Sequence, residues 1–440
     1  MKRGVTPALN PDQRPFRGSL IEQINQLEDC FNEVEPQVLA FLPEAGRFER
    51  LRRQARALEK RYPDAQERPP MYGTLMGVKD LIHVEGFLTR AGTQVPPELL
   101  QGAEAECVTR LKRAGALVVG KTTTCEFAYT APTPTRNPRH TMHTPGGSSS
   151  GSAAAVAAGM CALALGTQTI GSTIRPAAFC GVVGFKASYD RISRAGLIPL
   201  APSLDSVGLF TPDVAGAARA ASLLCADWKP AGLSRSKPVL GIPVGPYLGQ
   251  ASGEGRAHFD AVCQHLANHG YEIKPVPAMP DFDAIAARHF LILDAEGALV
   301  HAEWFAAYGE RYEPQTTEMI RRGQAITPVA LKEARAGRQQ LRAELMTLMD
   351  AYDLDLWISP ATRGPAPKGL SNTGNGIMNL PWTQSGLPAL NLPAGQSQAG
   401  LPLGFQVAGR WYADEDLLAW SIGLEQSLSD FYQQWPFPST

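Results

Sequence analysis

Apolar residues fall at helical spacing early in the chain: behind Ser19, a good N-cap, Leu20, Ile21, Ile24, Leu27 and Phe31 share one face. A second face built from Phe48, Leu51, Ala55 and Leu58 predicts a helix over about 46–60. The two helices make an N-terminal helical arm over 16–62, preceded by a polar, proline-containing leader. From Gly73 the texture changes. Short apolar runs at 73–78 and 116–119 predict strands, with a helix at about 103–114 between them, an alternation that favours a sheet of parallel or mixed strands. The run 153–165 is apolar almost all round, which predicts a helix buried on every side, too short to span a membrane.

A further strand, helix and strand are expected at 239–242, about 255–268 and 271–273, and strand or loop texture returns at 356–360 and 390–393. Residues 281–350 are mostly helical in pattern, end in the amphipathic stretch 331–349 and carry little catalytic chemistry, so they are expected to wall a substrate. With no repeat, heptad or long linker, the chain is expected to form one α/β domain over 1–440, a mixed sheet between helices.

Charge removes several functions. Lys plus Arg total 41 against 42 for Asp plus Glu, a net charge of −1 that gives no reason to expect nucleic acid or an anionic membrane as partner. The seven cysteines, Cys30, Cys107, Cys125, Cys161, Cys180, Cys225 and Cys263, are scattered without a C-x-x-C pair and are expected to be reduced and mostly buried. No apolar signal segment follows Met1, and no stretch reaches the roughly 20 apolar residues of a membrane span, so a soluble, cytoplasmic protein is expected.

The chemistry concentrates in two serine-glycine stretches, Pro145-Gly146-Gly147-Ser148-Ser149-Ser150-Gly151-Ser152 and Gly166-Thr167-Gln168-Thr169-Ile170-Gly171-Ser172. A serine hydroxyl is a weak nucleophile at neutral pH and needs a base and a place for the oxyanion. Ser172 follows a short turn whose backbone N–H groups can point inward, whereas Ser148 lies where glycines allow close backbone approach. Histidine is the usual base, yet none of the eight has a convincing partner: His265 and His269 stand at i, i+4 without a third metal ligand, and His140 and His143 are suited only to a pocket entrance. Lys79, closing an apolar strand in Gly77-Val78-Lys79-Asp80, fits better, because desolvation favours its neutral amine.

These motifs stand in a fixed order. Gly77-Val78-Lys79-Asp80, Gly120-Lys121-Thr122 with Glu126-Phe127, Pro145-Gly146-Gly147-Ser148-Ser149, and Gly166-Thr167-Gln168-Thr169 on to Phe185-Lys186 resemble the amidase signature family over about 70–212. The likeness resumes at Asn379-Leu380-Pro381-Trp382-Thr383, Gly386-Leu387-Pro388-Ala389 and Gly400-Leu401-Pro402-Leu403-Gly404-Phe405-Gln406. The resemblance implies the family's fold, with 70–212 as its catalytic core, and a Ser-cisSer-Lys triad with Ser172 as nucleophile, Ser148 as the bridging serine after a cis peptide and Lys79 as base. It also implies an oxyanion hole at Thr169, Ile170, Gly171 and Ser172, an acyl-enzyme, and no metal or cofactor.

This chain departs from the family pattern in places. Ile170 replaces a usual glycine, and a β-branched residue there must keep ordinary dihedrals or be strained. Gln168 stands where aspartate is common and Ser150 where glycine is common, while Arg175 and Asp205 are expected to pair behind the site. Met71, Phe127, Tyr129, Met142, Phe179, Met378 and Trp382, with Ile170, suggest an apolar pocket for a small amide, with carbamate (urethane) or ester substrates open and a monomer or homodimer expected. Two other readings remain: a glutamine-dependent amidotransferase subunit, or a noncatalytic binding protein on the same scaffold.

Overall fold

The computed structural model describes residues 19–434; the leader and residues 16–18 of the arm lie outside the described residues. Ten strands form one sheet: β1 (Leu75–Lys79), β2 (Leu117–Thr122), β3 (Leu163–Gln168), β4 (Val183–Lys186), β5 (Ser206–Thr211), β6 (Leu240–Val244), β7 (Ile273–Pro277), β8 (Leu356–Pro360), β9 (Ala389–Gln396) and β10 (Pro402–Ala408). Their spatial order is β2-β1-β3-β5-β4-β9-β10-β8-β6-β7. The sheet is mixed. β1 runs parallel to both β2 and β3, and β6 to both β7 and β8, whereas β5, β4, β9 and β10 join the two halves through antiparallel pairings. The strands of its centre are buried along their length and helices cover its faces, so the single-domain α/β expectation describes the molecule.

Local signals account for the arm. Ser19 caps Leu20–Val38 in a capping box, accepting from the Glu22 N–H while its own N–H donates to Glu22 Oε2 at 2.7 Å. Leu20, Ile24 and Leu27 pack with Leu51 and Ala55 of helix Arg47–Arg61 in a cluster that also holds the alanines of Ser150–Ala157. The helical wall is Phe282–Val300, Ala302–Tyr308, Pro314–Gln324 and Pro328–Ala351.

One expectation is overturned. The apolar run 153–165 is not one helix: Ser150–Ala157 ends before Gly159, which takes φ +73°, and Leu163–Gln168 is the buried strand β3. A segment buried on all sides loses the polar positions that distinguish a period of 3.6 from one of 2, so its pattern cannot place that break. The consequence matters for the site. The turn bearing Ser172 follows a strand, and the parallel register Val78↔Leu165 carries Lys79 alongside Gly166 and Thr167 at the C-terminal ends of β1 and β3.

The helix that follows Ser148 docks on bare backbone. A Cβ on Gly151 would press into the Ala40 carbonyl oxygen and lie 2.5 Å from the Thr123 amide nitrogen, neither of which is a movable side-chain tip. Gly151→Ala is therefore expected to destabilise the fold by about 1–3 kcal/mol. Gly253→Ala, with no atom within 4 Å of the new methyl, is expected to cost nothing. Denaturation midpoints check the pair, and equal midpoints would refute the tight docking.

Candidate functional site

Lys79 has no accessible surface, and its Nζ donates to Ser148 Oγ at 2.8 Å and to Thr167 Oγ1 at 2.7 Å. Burial pulls its pKa down to about 7; Cys125 and Asp205 oppose that shift and the Arg175 guanidinium reinforces it. Ser148 is equally buried and follows a cis Gly147-Ser148 peptide. Next to it, the Cys125 thiol is pushed up to about 11 by burial and so remains protonated at neutral pH.

The turn 169–172 presents a separation of backbone groups. Its carbonyls are bound: that of Thr169 accepts from His289 Nε2 at 3.0 Å, that of Ile170 from Thr383 Oγ1 at 2.7 Å, and that of Gly171 from the Arg175 N–H at 2.9 Å. By contrast, the N–H groups of Ile170, Gly171 and Ser172 donate to no described residue, and neither does the Ser172 hydroxyl, which is 6% exposed at residue level. Donors left unpaired while their carbonyls are held suit an anionic oxygen. Burial pushes the His289 pKa down to about 3, so its ring is neutral and fits the Thr169 carbonyl as an N–H donor without adding charge.

Gln168 fixes this turn from below. Its Oε1 accepts from the Thr173 and Ile174 N–H groups at 2.8 and 3.0 Å, serving amides at the start of helix Ile174–Cys180, while its Nε2 donates to Thr383 Oγ1 at 3.0 Å. Thr383 passes the contact on to the Ile170 carbonyl. On the other side, Thr169 Oγ1 donates to Asp205 Oδ1 at 2.6 Å. Gly171 is required where it stands, because a Cβ there would collide with Asn379 Oδ1. Ile170 is not among the left-handed residues, so the side chain that replaces the usual glycine costs no backbone strain.

Arg175 joins the pieces. Its Nη2 donates to the Gly147 carbonyl at 2.5 Å and to Thr373 Oγ1 at 3.2 Å, and its Nη1 to the Gly374 carbonyl at 2.9 Å, which clamps loop 371–376 over the Gly147-Ser148 peptide. The expected Arg175–Asp205 pair does not form. Asp205 instead accepts from Thr169, Leu200 and Ala201, so its carboxylate is satisfied locally while Arg175 spends its donors on backbone carbonyls.

The structure thus joins Lys79 and Ser148 by a hydrogen bond and sets Ser172 in the turn behind which Arg175 holds the Ser148 loop; no hydrogen bond links Ser148 to Ser172. The expected pocket lining scatters. Met378 and Trp382 are core residues without exposed surface, the one offering its carbonyl and the other its indole N–H to the Tyr247 hydroxyl. Phe127 is likewise enclosed, stacked on Trp304 and Tyr312. Met71 lies before β1, at the end opposite Lys79, and packs in the main core. Met142 is a surface residue, 55% exposed. Phe179 backs Gly374, and half-buried Tyr129 accepts from Arg322. Apolar character alone made these candidates, and it selects core as readily as pocket. Thr167, Thr383, His289 and loop 371–376 were missed; only the polar end of β3 could have pointed to Thr167.

The family model described as Amidase matches residues 31–418. Among curated relatives, a glutamyl-tRNA(Gln) amidotransferase subunit of Thermus thermophilus is 33% identical, covering 90% of this chain and 91% of the relative. The equivalent protein of a Synechococcus strain is 31% identical, covering 92% and 93%. A solved amidase crystal structure superposes with a TM-score of 0.84 at 31% identity, covering 94% of this chain and 97% of the other.

Removing the support beneath the turn tests its role. Gln168→Leu leaves two amides and Thr383 unsupported, and is expected to lower kcat about 10- to 100-fold with little change in KM, because a donor shifted by about 1 Å loses that much. Steady-state kinetics on an amide substrate decide it; a larger effect on KM than on kcat would contradict the placement.

Proposed function

This chain belongs to the amidase family, and from that membership we propose that it cleaves the C–N bond of small amides through Lys79, Ser148 and Ser172. The observation that carries this reading is a neutral-range lysine on a serine hydroxyl, beside a turn whose free N–H groups surround a second serine. With Thr167 accepting one N–H of the Lys79 amine, the lone pair is available for the Ser148 proton, and Ser148 in turn takes that of Ser172. Ser172 attacks the carbonyl carbon. The oxyanion receives the N–H groups of Ile170, Gly171 and Ser172, and the transferred proton leaves with the amine. Water then repeats the path on the acyl-enzyme. The Ser148–Ser172 contact is the link that substrate must tighten, as catalytic hydrogen bonds commonly do. The same attack serves carbamates and esters.

A second reading is favoured by the relatives named above: a glutaminase subunit that delivers ammonia to a partner acting on charged transfer RNA. Charge argues for the first. Glutamine brings an α-ammonium that needs an acid to receive it, yet Glu126 is engaged by Thr93 and the Glu313 N–H, Asp205 by Thr169 and its own loop, and Asp294 by Arg322. Turnover of glutamine and of a panel of neutral amides, carbamates and esters, with co-purification of partner proteins, separates the two.

The roles given to Ser172 and Lys79 each carry expected results. Ser172→Ala keeps the fold and loses at least about 10³-fold in turnover, and a sulfonyl fluoride labels the parent chain at Ser172 alone; near-normal rates in the variant would remove Ser172 as nucleophile. Because Lys79 accepts a proton only when neutral and its pKa is held near 7, kcat/KM rises with pH to a plateau above that value and falls below it. Lys79→Arg, permanently charged, loses about 10²- to 10⁴-fold. A rate independent of pH between 5 and 9 would exclude Lys79 as the base.

A further inference from the structure

A cavity of about 210 Å³ is lined by Thr167 and Asp205, and Leu81, Ala128, Ile198 and Leu200 form much of its wall. We infer that this cavity seats the departing amine, and that it selects amides whose nitrogen carries a small aryl or alkyl group; the inference rests on the amide cleavage proposed above.

Position comes first. Thr167 Oγ1 is the second partner of the Lys79 amine, so the cavity meets the site on the side that holds the mobile proton. In the step concerned, Ser172 Oγ forms its bond to the acyl carbon, the C–N bond breaks, and its electron pair stays on nitrogen. That nitrogen takes the proton that Ser172 gave up through Ser148 and Lys79. The proton returns from Lys79 by way of Ser148, so a leaving nitrogen must lie within reach of Ser148 Oγ, the hydroxyl that shares the Lys79 amine with Thr167, while the carbonyl oxygen faces the N–H groups of the turn.

Chemistry comes second. Of the charged groups at the wall, Asp205 accepts from Thr169, Leu200 and Ala201, and Arg194 is paired with Asp190 and donates to the Pro202 carbonyl, which leaves its buried Nε as the one charged-group donor there without a partner among the described residues. The remaining wall is aliphatic, which disfavours a charged substituent and favours an apolar one by about 25 cal/mol per Å² buried. An apolar cavity of about 150 Å³ already takes a benzene ring, so an anilide fits in the larger space here.

Rigidity comes third. The loop that forms one wall is fixed by the Ile198 N–H on the Leu81 carbonyl at 2.9 Å, by the Ile82–Leu197 bridge, and by Asp205 Oδ2 on the Leu200 and Ala201 amides. On the opposite wall Phe127 and Ala128 both hold left-handed φ, at 44° and 63°, conformations that non-glycine residues adopt at a cost. At position 128 the residue lining the cavity is an alanine, whose side chain is a single methyl group.

The test uses the full chain and one acyl group offered as its primary amide, its anilide and its naphthylamide. Ala128→Leu fills the cavity, and the anilide-to-primary-amide ratio of kcat/KM is expected to fall at least tenfold. Leu200→Ala enlarges it and is expected to raise the naphthylamide-to-anilide ratio at least threefold. Aniline, as a product inhibitor, is expected to bind Ala128→Leu at least fivefold more weakly than the parent, a readout independent of turnover. Ratios unmoved in both variants overturn the subsite while primary-amide turnover leaves the amide reading standing. A parent chain that cleaves none of the three overturns both.

Discussion

Everything in this site depends on burying one lysine amine with hydroxyl groups and no carboxylate in hydrogen-bond contact. An acid within reach would hold the ammonium charged; a solvent-exposed position would do the same. Lys79 has neither, and the cause is topological: β1 lies between two parallel neighbours, and its last residue ends abreast of the close of β3, where Thr167 and the Ser148 loop converge. Lys186 is an informative contrast. It is as deeply buried, and burial lowers its pKa to about 7 too, but its Nζ donates to the Ala187 carbonyl and it has no serine to act upon. Desolvation makes a lysine a potential base. Its neighbours decide whether it has a proton to take.

The turn 169–172, proposed above to receive the oxyanion, rests on the same logic applied to backbone. Amide groups stay unpaired only if something else keeps the peptide from turning, and here three different elements do so by holding the carbonyls: His289 from the helical wall, Thr383 from the segment before β9, and the N–H of Arg175 from the next helix. Gln168 ties the second of these to the helix start with an uncharged side chain. An aspartate at this position is a residue shorter by one methylene and carries a charge; glutamine spans to Thr383 and adds none.

How much of this was legible depended on whether the information was local. The Ser19 cap, the arm helices, the strands 356–360 and 116–119 and the run of serines and glycines are written in neighbouring residues, and motif order singled out Lys79, Ser148 and Ser172, of which the structure joins Lys79 to Ser148 by a hydrogen bond. The break inside 153–165 was not legible, because a fully buried segment erases its own periodicity. The Arg175–Asp205 pairing was a guess from charge alone, and charge does not say that three backbone carbonyl and hydroxyl acceptors lie closer to the guanidinium than the carboxylate does. The contacts of Thr383 and His289 to the turn span 213 and 120 residues, so no local pattern could announce them. Apolar pocket residues were the least legible: Trp382 and Met378 are chemically fit to line a pocket, and the fold uses them as core.

On the proposed reading, bond cleavage and substrate choice draw on different parts of the chain. Lys79, Ser148 and Ser172 sit at a strand end and in loops where the Thr169, Ile170 and Gly171 carbonyls are tied, so they have little freedom to vary without losing their alignment. On that reading, the surfaces a substrate would touch come from loops 196–205 and 371–376, each fastened to the site by polar contacts, Asp205 to Thr169 and Gly374 to Arg175. Side chains on such loops can change size without moving Lys79 or the turn. That division explains how one scaffold can be shared with relatives that carry different names, and why identity near one-third over nine-tenths of the chain identifies the machinery more firmly than the substrate.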